Sequence, residues 1–265
     1  MKILAIGDSH GELDKIKQIP MKGIDLILLT GDLGKASFAR TRHFENVERK
    51  KQGLPELKKD AKFVKNVNDE IHGSTMGVLK YLSKYAPVHT LLGNVGIANI
   101  TDVKKAQRQY HVKINCTRDE INALGNVYIE KNKLRNFEGI KIGCLEYFID
   151  VSWVKDFKPT DYEKAMKRAK KQTEKARKIL TRFDHVGILL CHQPPLGILD
   201  KVSAKFAPKH WQGKHAGSQA ILDYVKKYQP KYVFCGHIHE AEGQQKLGKT
   251  TIYNLGVGSY KIIEL

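Results

Sequence analysis

Six short apolar runs recur along the chain, and each of them ends in a glycine or a polar residue. The runs are rich in Ile, Leu and Val, which is typical of strands that are buried on both faces of a sheet. Each run also has the length of an ordinary strand. We therefore predict buried strands within residues 2–8, 25–32, 88–94, 140–146, 185–192 and 231–237.

Helical patterns lie between several of these runs. Thr160 and Glu163 have the spacing of a capping box, and apolar residues follow them at helical spacing as far as Leu180. Residues 216–228 predict another helix, and residues 56–84 predict a third. Strands that alternate with helices favour an α/β fold.

Two lysine-rich segments carry most of the net charge of +18. Residues 35–84 have a net charge of +6, and residues 155–182 have a net charge of +7. No internal repeat or low-complexity linker is present, so we predict one domain over residues 1–265 with these segments as helical elaborations. Two interpretations of the charge stay open. It could attract a phosphate-rich substrate such as nucleic acid, or it could be a solvated helix face, since neither segment interleaves aromatic residues as stacking surfaces do.

Composition indicates a globular protein without a membrane span. Hydrophobic residues make up 41% of the chain, which is enough for a sizeable core. The first apolar run is shorter than that of a signal peptide, and no segment approaches the roughly 18 apolar residues of a membrane helix. The 4 cysteines are widely spaced and form no Cys-x-x-Cys pair. Buried reduced thiols and a cytoplasmic location are therefore expected.

Side chains that can bind metals stand at the ends of five of the predicted strands. Because ligands of α/β folds bind at the carboxyl ends of strands, we expect these side chains to meet. Their nitrogen and oxygen donors suit Mn, Fe, Zn, Co or Ni, and they are too many for one tetrahedral zinc. They suit two metals that share a bridging carboxylate. The side chains are Asp8, His10, Asp32, Asn94, His192, His237 and His239.

These residues stand in ordered motifs that resemble those of the calcineurin-like metallophosphoesterases. The motifs read "GDSH", "GDLG", "GNVG", "CHQPP" and "GHIH", and they extend from residue 7 to residue 239. Residues 192–200, 215–230, 235–243 and 248–256 look especially like the Icc-related branch of predicted cytoplasmic phosphoesterases. The resemblance implies a four-layer α/β fold, in which two mixed β-sheets pack face to face with helices outside.

The resemblance also implies a role for each metal-binding residue. Asp32 would bridge two divalent metals, with Mn expected first and Fe, Zn, Ni or Co as the alternatives. Asp32 and Asn94 would count among the catalytic residues, and metal-bound water would attack phosphorus in line. The first metal would be held by Asp8, His10 and His239, and the second by Asn94, His192 and His237.

The sequence departs from the family pattern at Val95. Much of the family carries a His there, which stabilises the transition state or protonates the leaving oxygen, and Val95 can do neither. Loss of such an acid costs about 10²–10⁴ in rate and matters most for poor leaving groups. We therefore expect a phosphodiesterase rather than a monoesterase. His210 and His215, in the loop after the fourth motif, are candidates to contact the substrate instead.

Two alternatives remain beside this hypothesis. Val95 is also compatible with a catalytically weak or inactive scaffold that binds metal, since some relatives of this fold act mainly as scaffolds. The two basic segments are compatible with a nucleotide or nucleic acid as the substrate or partner. The sequence leaves the oligomeric state open.

Overall fold

The structure is a computed structural model that describes residues 1–205 and 207–265. The described residues form two β-sheets with helices on their outer faces. The strands are β1 (Lys2–Ile6), β2 (Leu26–Leu29), β3 (Val88–Thr90), β4 (Val127–Ile129), β5 (Lys133–Phe137), β6 (Ile140–Leu145), β7 (Ile188–Cys191), β8 (Tyr232–Cys235), β9 (Gly243–Leu247), β10 (Thr250–Asn254) and β11 (Tyr260–Glu264).

Both sheets are mixed. The first has the order β11-β1-β2-β3-β4, in which β1 to β4 run parallel and β11 pairs antiparallel with β1. The second has the order β5-β6-β7-β8-β10-β9, with a parallel centre and an antiparallel strand at each edge. The carboxyl ends of each parallel set therefore lie along one edge of its sheet.

Helices cover the outer faces of both sheets. The longest are α3 and α7, each of 22 residues. Two short 3₁₀ turns, Lys209–Trp211 and His239–Ala241, follow strands of the second sheet. The α-helices are α1 (Leu13–Ile16), α2 (Ser37–Lys51), α3 (Ala61–Leu82), α4 (Ile100–Tyr110), α5 (Thr117–Asn122), α6 (Val151–Phe157), α7 (Tyr162–Phe183) and α8 (Gln219–Tyr228).

Alternating side chains divide the core into layers. Leu4 of β1 packs with Leu79 of α3 on the outer side of the first sheet. Ile3, its neighbour, points to the opposite face and packs with Phe234 of the second sheet. Leu189 of β7 packs outward with residues of α7 and α8. Successive residues of a strand point to opposite faces of the sheet, so each buried strand contributes side chains to two apolar layers. The predicted four-layer α/β fold is confirmed by this architecture and by the structural comparisons given below.

All six predicted strands are confirmed, as β1, β2, β3, β6, β7 and β8. The sequence pattern missed the other five. Strands β5 ("KLRNF") and β9 ("GQQKL") lie at the edges of the second sheet and are largely exposed. An edge strand with a solvated face needs no continuous apolar run, so the criterion for buried strands could not detect it.

The predicted helices are present, but one predicted cap is wrong. Helix α8 begins after Ser218, whose side chain accepts the backbone N–H of Ile221. The expected capping box at Thr160 does not form, because the helix begins one residue later and its N-cap, Asp161, makes no capping hydrogen bond. Helix α3 begins at Ala61, after the N-cap Asp60.

The two basic segments lie next to each other in the structure. The first contains α2 and α3, and the second contains most of α7. Nζ of Lys50, near the end of α2, donates to Oγ1 of Thr160 at 3.4 Å. Within the part of the chain that the structure describes, no helix combines the length and apolarity needed to span a membrane. The cysteines are free, and Cys144, Cys191 and Cys235 are buried.

Candidate functional site

The site begins at Asp8, directly after strand β1. Asp8 is fully buried, and its carboxylate accepts the Thr30 hydroxyl and the His237 backbone N–H, each at 2.6 Å. Burial alone would raise the pKa of Asp8, but the charge of His192, the hydrogen bond and charge of His239, and the hydrogen bond from Thr30 outweigh it and lower the pKa. Asp8 is therefore a fixed carboxylate at the sheet edge.

Asp8, His10, Asp32 and His239 form a compact group of potential metal ligands, with one donor atom from each lying within 4.8 Å of the others. Nε2 of His10 lies 3.2 Å from Nε2 of His239, and the latter lies 3.1 Å from Oδ2 of Asp8. Nε2 of His10 also lies 3.9 Å from Oδ2 of Asp32. The ends of three strands, β1, β2 and β8, thus supply donors that converge on one point.

A second group adjoins the first through Asp32. Nε2 of His192 lies 2.8 Å from Oδ1 of Asn94 and 3.7 Å from Oδ2 of Asp32. The other nitrogen, Nδ1, bonds to the carbonyl oxygen of Thr30 at 3.0 Å, which leaves Nε2 directed at the site. The ring of His237 lies 4.9 Å from that of His192, centre to centre. Burial, and then the charge of His192, lower the pKa of His237 to about 3, so this imidazole is neutral near pH 7.

The loop after β3 is bound to Asp32 by backbone hydrogen bonds. Oδ1 of Asp32 accepts the N–H groups of Asn94 and Val95, each at 2.7 Å. Gly93 allows this approach, because a Cβ there would lie 2.6 Å from the Asp32 backbone nitrogen and 2.8 Å from Cε1 of His192. The carboxylate of Glu146 accepts the N–H groups of Leu92 and Gly93 at 3.1 and 3.0 Å. These contacts fix the position of Asn94.

Three of the donor residues have strained backbone conformations. His10, Asp32 and His237 have φ values of 40°, 41° and 67°. Positive φ values are uncommon for residues other than glycine and are retained where the surrounding structure enforces them. The strain is concentrated at the ligand-bearing strand ends, as expected of a functional site.

The donors open into a cleft of about 640 Å³. One wall comes from α2 and presents Arg40 and His43. The other is apolar and includes Trp153, Phe157 and Trp211. The Trp153 and Phe157 rings stack at 5.3 Å, and the Trp211 ring meets both nearly edge-on. The lining of the cleft therefore combines the polar donor residues with a group of aromatic side chains.

The structure brings all seven predicted metal-binding residues together, but it does not bring His210 and His215 to the described cleft. His210 is exposed on a 3₁₀ turn. His215 is half-exposed, and its Nδ1 bonds to the buried carboxylate of Asp200 at 2.6 Å. Their expected substrate contacts stay predictions without geometric support.

Sequence reasoning missed Glu146 and Tyr147. Glu146 supports the Asn94 loop as described, and the ring of Tyr147 lies 5.6 Å from that of His192 and 5.2 Å from that of His237. Burial, and then the charge of Asp32, raise the pKa of Tyr147, so its hydroxyl stays protonated. Glu146 ends the predicted strand 140–146 and Tyr147 follows it, so the strand-end rule that identified the other residues would have found both.

The residues present fit divalent transition metals. His10 and His239 direct ring nitrogens at each other across 3.2 Å, beside the Asp8 carboxylate. A cation between these donors would satisfy all three, whereas two neutral imidazoles can share only one proton. Asn94, His192 and Asp32 make a second convergent set of the same nitrogen and oxygen chemistry.

Comparisons with known proteins show similarity in sequence and in fold. A protein of Caenorhabditis elegans, "UPF0046 protein K07C11.7", is 37% identical over 67 residues, which cover 25% of this chain and 20% of the worm protein. The fold is similar to that of the phosphopantetheinyl hydrolase (PptH) from Mycobacterium tuberculosis, with a TM-score of 0.56, 13% identity, and coverage of 97% of this chain and 89% of that one.

A dimetal phosphatase from Danio rerio gives a TM-score of 0.51 at 12% identity, and the match covers 98% of this chain and 88% of that one. At these identities the likeness shows the fold. The family described as calcineurin-like phosphoesterase matches residues 1–241, which include all seven predicted ligands. The family supports the predicted enzyme class, a metal-dependent phosphoester hydrolase, and the chain belongs to the calcineurin-like phosphoesterase family.

Proposed function

We propose that this protein is a phosphodiesterase with a dinuclear metal site. The observation that carries the proposal is the position of Asp32, whose Oδ2 lies 3.9 Å from the His10 ring nitrogen and 3.7 Å from that of His192. One carboxylate thus adjoins both groups of donors. Asp8, His10 and His239 would hold one metal ion, Asn94, His192 and His237 would hold the other, and Asp32 would contact both.

Two divalent ions, with Mn first and Fe, Zn, Ni or Co as alternatives, would supply acidified water and neutralise charge on the phosphoryl oxygens. Hydrogen bonds within the chain hold the predicted metal ligands in position. The Thr30 carbonyl fixes the ring of His192, and the Asn94 and Val95 N–H groups fix Asp32. Such supporting contacts raise metal affinity by about 10- to 100-fold.

The specificity for diesters rests on two features of the cleft. Val95 lines it beside the donors and offers no proton for a leaving group. The opposite wall is apolar and carries Trp153, Phe157 and Trp211, which suits a bulky or planar ester group. A diester with a good leaving group therefore fits the cleft better than a small alkyl monoester.

Metal analysis combined with a substrate panel tests this function. The purified protein should bind about two Mn-like ions and hydrolyse an aryl phosphodiester faster than an aryl phosphomonoester. Asp32→Ala should abolish turnover and reduce metal content, while Asp14→Ala, at a fully exposed carboxylate, should change neither. Full activity of Asp32→Ala would refute the proposal.

A nucleotide or single-stranded nucleic acid is the second candidate substrate. The cleft lies between Arg40 of one basic segment and Trp153, which precedes the other, and Lys50 and Thr160 join the two segments. The aromatic rings of the cleft could stack with nucleic-acid bases, and the positive charge of Arg40 could contact the phosphate backbone. RNA binding should weaken steeply between low and high salt, and binding that is absent or insensitive to salt would reject this candidate.

The competing function is a scaffold without turnover. It predicts metal binding but no hydrolysis of any phosphoester in the panel, either by the wild type or by Val95→His. The convergent donors favour the enzyme.

Three further expectations from the sequence remain proposals. They are a cytoplasmic location, a single domain over residues 1–265, and substrate contacts of His210 and His215.

A further inference from the structure

Helix α2 presents one regular stripe to the cleft. Ala39, Arg40 and His43 line it from one face of the helix, at spacings of three and four residues, and Ala36, the N-cap, lines it just before the helix begins. The two alanines leave space around the larger side chains. Arg40 is the one Lys or Arg among the described residues that line the cleft.

The guanidinium of Arg40 makes no hydrogen bond and no ion pair with residues 1–205 and 207–265, and the residue is exposed. It is therefore available to a ligand in the cleft that it lines.

The neighbouring Arg42 is used differently. Its Nη1 donates to the carbonyl oxygen of Lys58 at 3.0 Å, its Nε lies 3.5 Å from the Glu45 carboxylate, and its guanidinium lies 4.2 Å from the centre of the Phe63 ring. Arg42 thus holds α2 in place. The beginning of α2 is also fixed, because Phe38 donates its N–H to Glu70 at 3.1 Å.

We propose that Arg40 binds a non-bridging phosphoryl oxygen of the substrate, opposite the metal-binding side chains. This inference rests on the proposed function. It adds a substrate contact from α2, which belongs to the first basic segment and lies outside the strand ends that carry the predicted metal ligands. A planar guanidinium suits a phosphoryl group, since it can donate two parallel hydrogen bonds. Arg40 breaks no bond and moves no proton. It adds a positive charge to the lining of the cleft, whereas the side chain of Val95 adds none.

The test compares Arg40→Ala, Arg40→Lys and Arg108→Ala in the metal-loaded protein. Arg108 is the control, because it is exposed on α4 and its Nε bonds to the Lys104 carbonyl oxygen of the same helix. Calorimetry measures the Kd of inorganic phosphate, and kinetics measure kcat/KM for an aryl phosphodiester. Loss of a charge-assisted contact should weaken phosphate binding and lower kcat/KM by about 10- to 100-fold in Arg40→Ala. Arg40→Lys should lose less, Arg108→Ala should stay within about twofold of the wild type, and metal content should be equal in all.

A chemical rescue separates contact from structure. Methylguanidinium added to Arg40→Ala should restore part of the lost activity, and it should not affect Arg108→Ala. Equal phosphate affinity of Arg40→Ala and the wild type, or no phosphate binding by the wild type, would overturn the inference. Failure of the proposed function has a different signature, since the wild type would then bind phosphate through Arg40 without any turnover.

Discussion

Val95 donates its backbone N–H to Oδ1 of Asp32 at 2.7 Å, while its side chain packs partly against the core of the first sheet. The backbone contact does not depend on the side chain. This position therefore keeps its part in orienting the carboxylate even though it carries no proton donor. The third motif thus keeps its backbone contacts to Asp32, and a valine stands where the family resemblance implies a proton-donating His.

Val95→His should restore a proton donor to the cleft. The Asp32 contact uses backbone atoms, so metal content should not change. Turnover of an alkyl phosphoester should rise by about tenfold or more, since a poor leaving group needs protonation, while that of an aryl diester should change little. Val95→Leu serves as the apolar control, and an equal gain in both variants would contradict this account.

Gly236→Ala should disrupt the first ligand group. A Cβ at this position would lie 2.7 Å from Cγ of Asp8 and 2.8 Å from its Oδ2, so the carboxylate would have to move. We expect a loss of bound metal by elemental analysis and a fall in kcat of at least about 100-fold. Gly125→Ala is the matched control, because a Cβ there meets no atom within 4 Å. Normal metal content in Gly236→Ala would show that the site tolerates the shift.

Glu146→Gln should weaken metal binding without large loss of stability. The carboxylate holds the N–H groups of Leu92 and Gly93, and an amide retains only one acceptor oxygen for the two. A supporting contact of this kind is worth about 10- to 100-fold in metal affinity. Titration with Mn²⁺ should show this loss for one of two ions. Glu138→Gln, at an exposed turn, should bind as the wild type does, and a similar loss there would exclude a local cause.

Glu130 should make stability depend on acid pH. Its carboxylate is fully buried and accepts Nδ1 of His89 at 2.7 Å and Nε of Arg135 at 2.8 Å. Burial raises its pKa, but these two hydrogen bonds and the charge of Arg135 outweigh it, so the pKa lies below its ordinary value. A lowered pKa means that the folded state favours the ionised form.

The sign of the effect follows from proton binding. The stabilisation by Glu130 is complete above the ordinary carboxyl pKa of about 4.3, and it is lost as the pH falls through the lower pKa of the folded state. Urea unfolding should therefore show that Glu130→Gln is less stable than the wild type by about 1–3 kcal/mol at pH 7, with a smaller difference below pH 4 or so. A difference that is constant with pH would contradict this prediction.

The sequence by itself determined the central strands other than β10, and the residues at their ends. Continuous apolar runs identify buried strands because such strands must face two apolar layers. Parallel strands place their carboxyl ends at one edge, so donors as far apart in the chain as Asp8 and His239 could be expected to meet. The edge strands, with their polar sequences, carried no comparable signal.

Only the tertiary structure decided which side chains surround the donors. Arg40 and Trp211 line the same cleft, although neither belongs to a motif, because α2 and the loop near Trp211 pack over the same sheet edge. The same packing leaves His210 and His215 outside it. Local patterns specify elements through short-range sterics and burial, whereas the walls of a cleft depend on contacts between elements far apart in sequence, which no local pattern encodes.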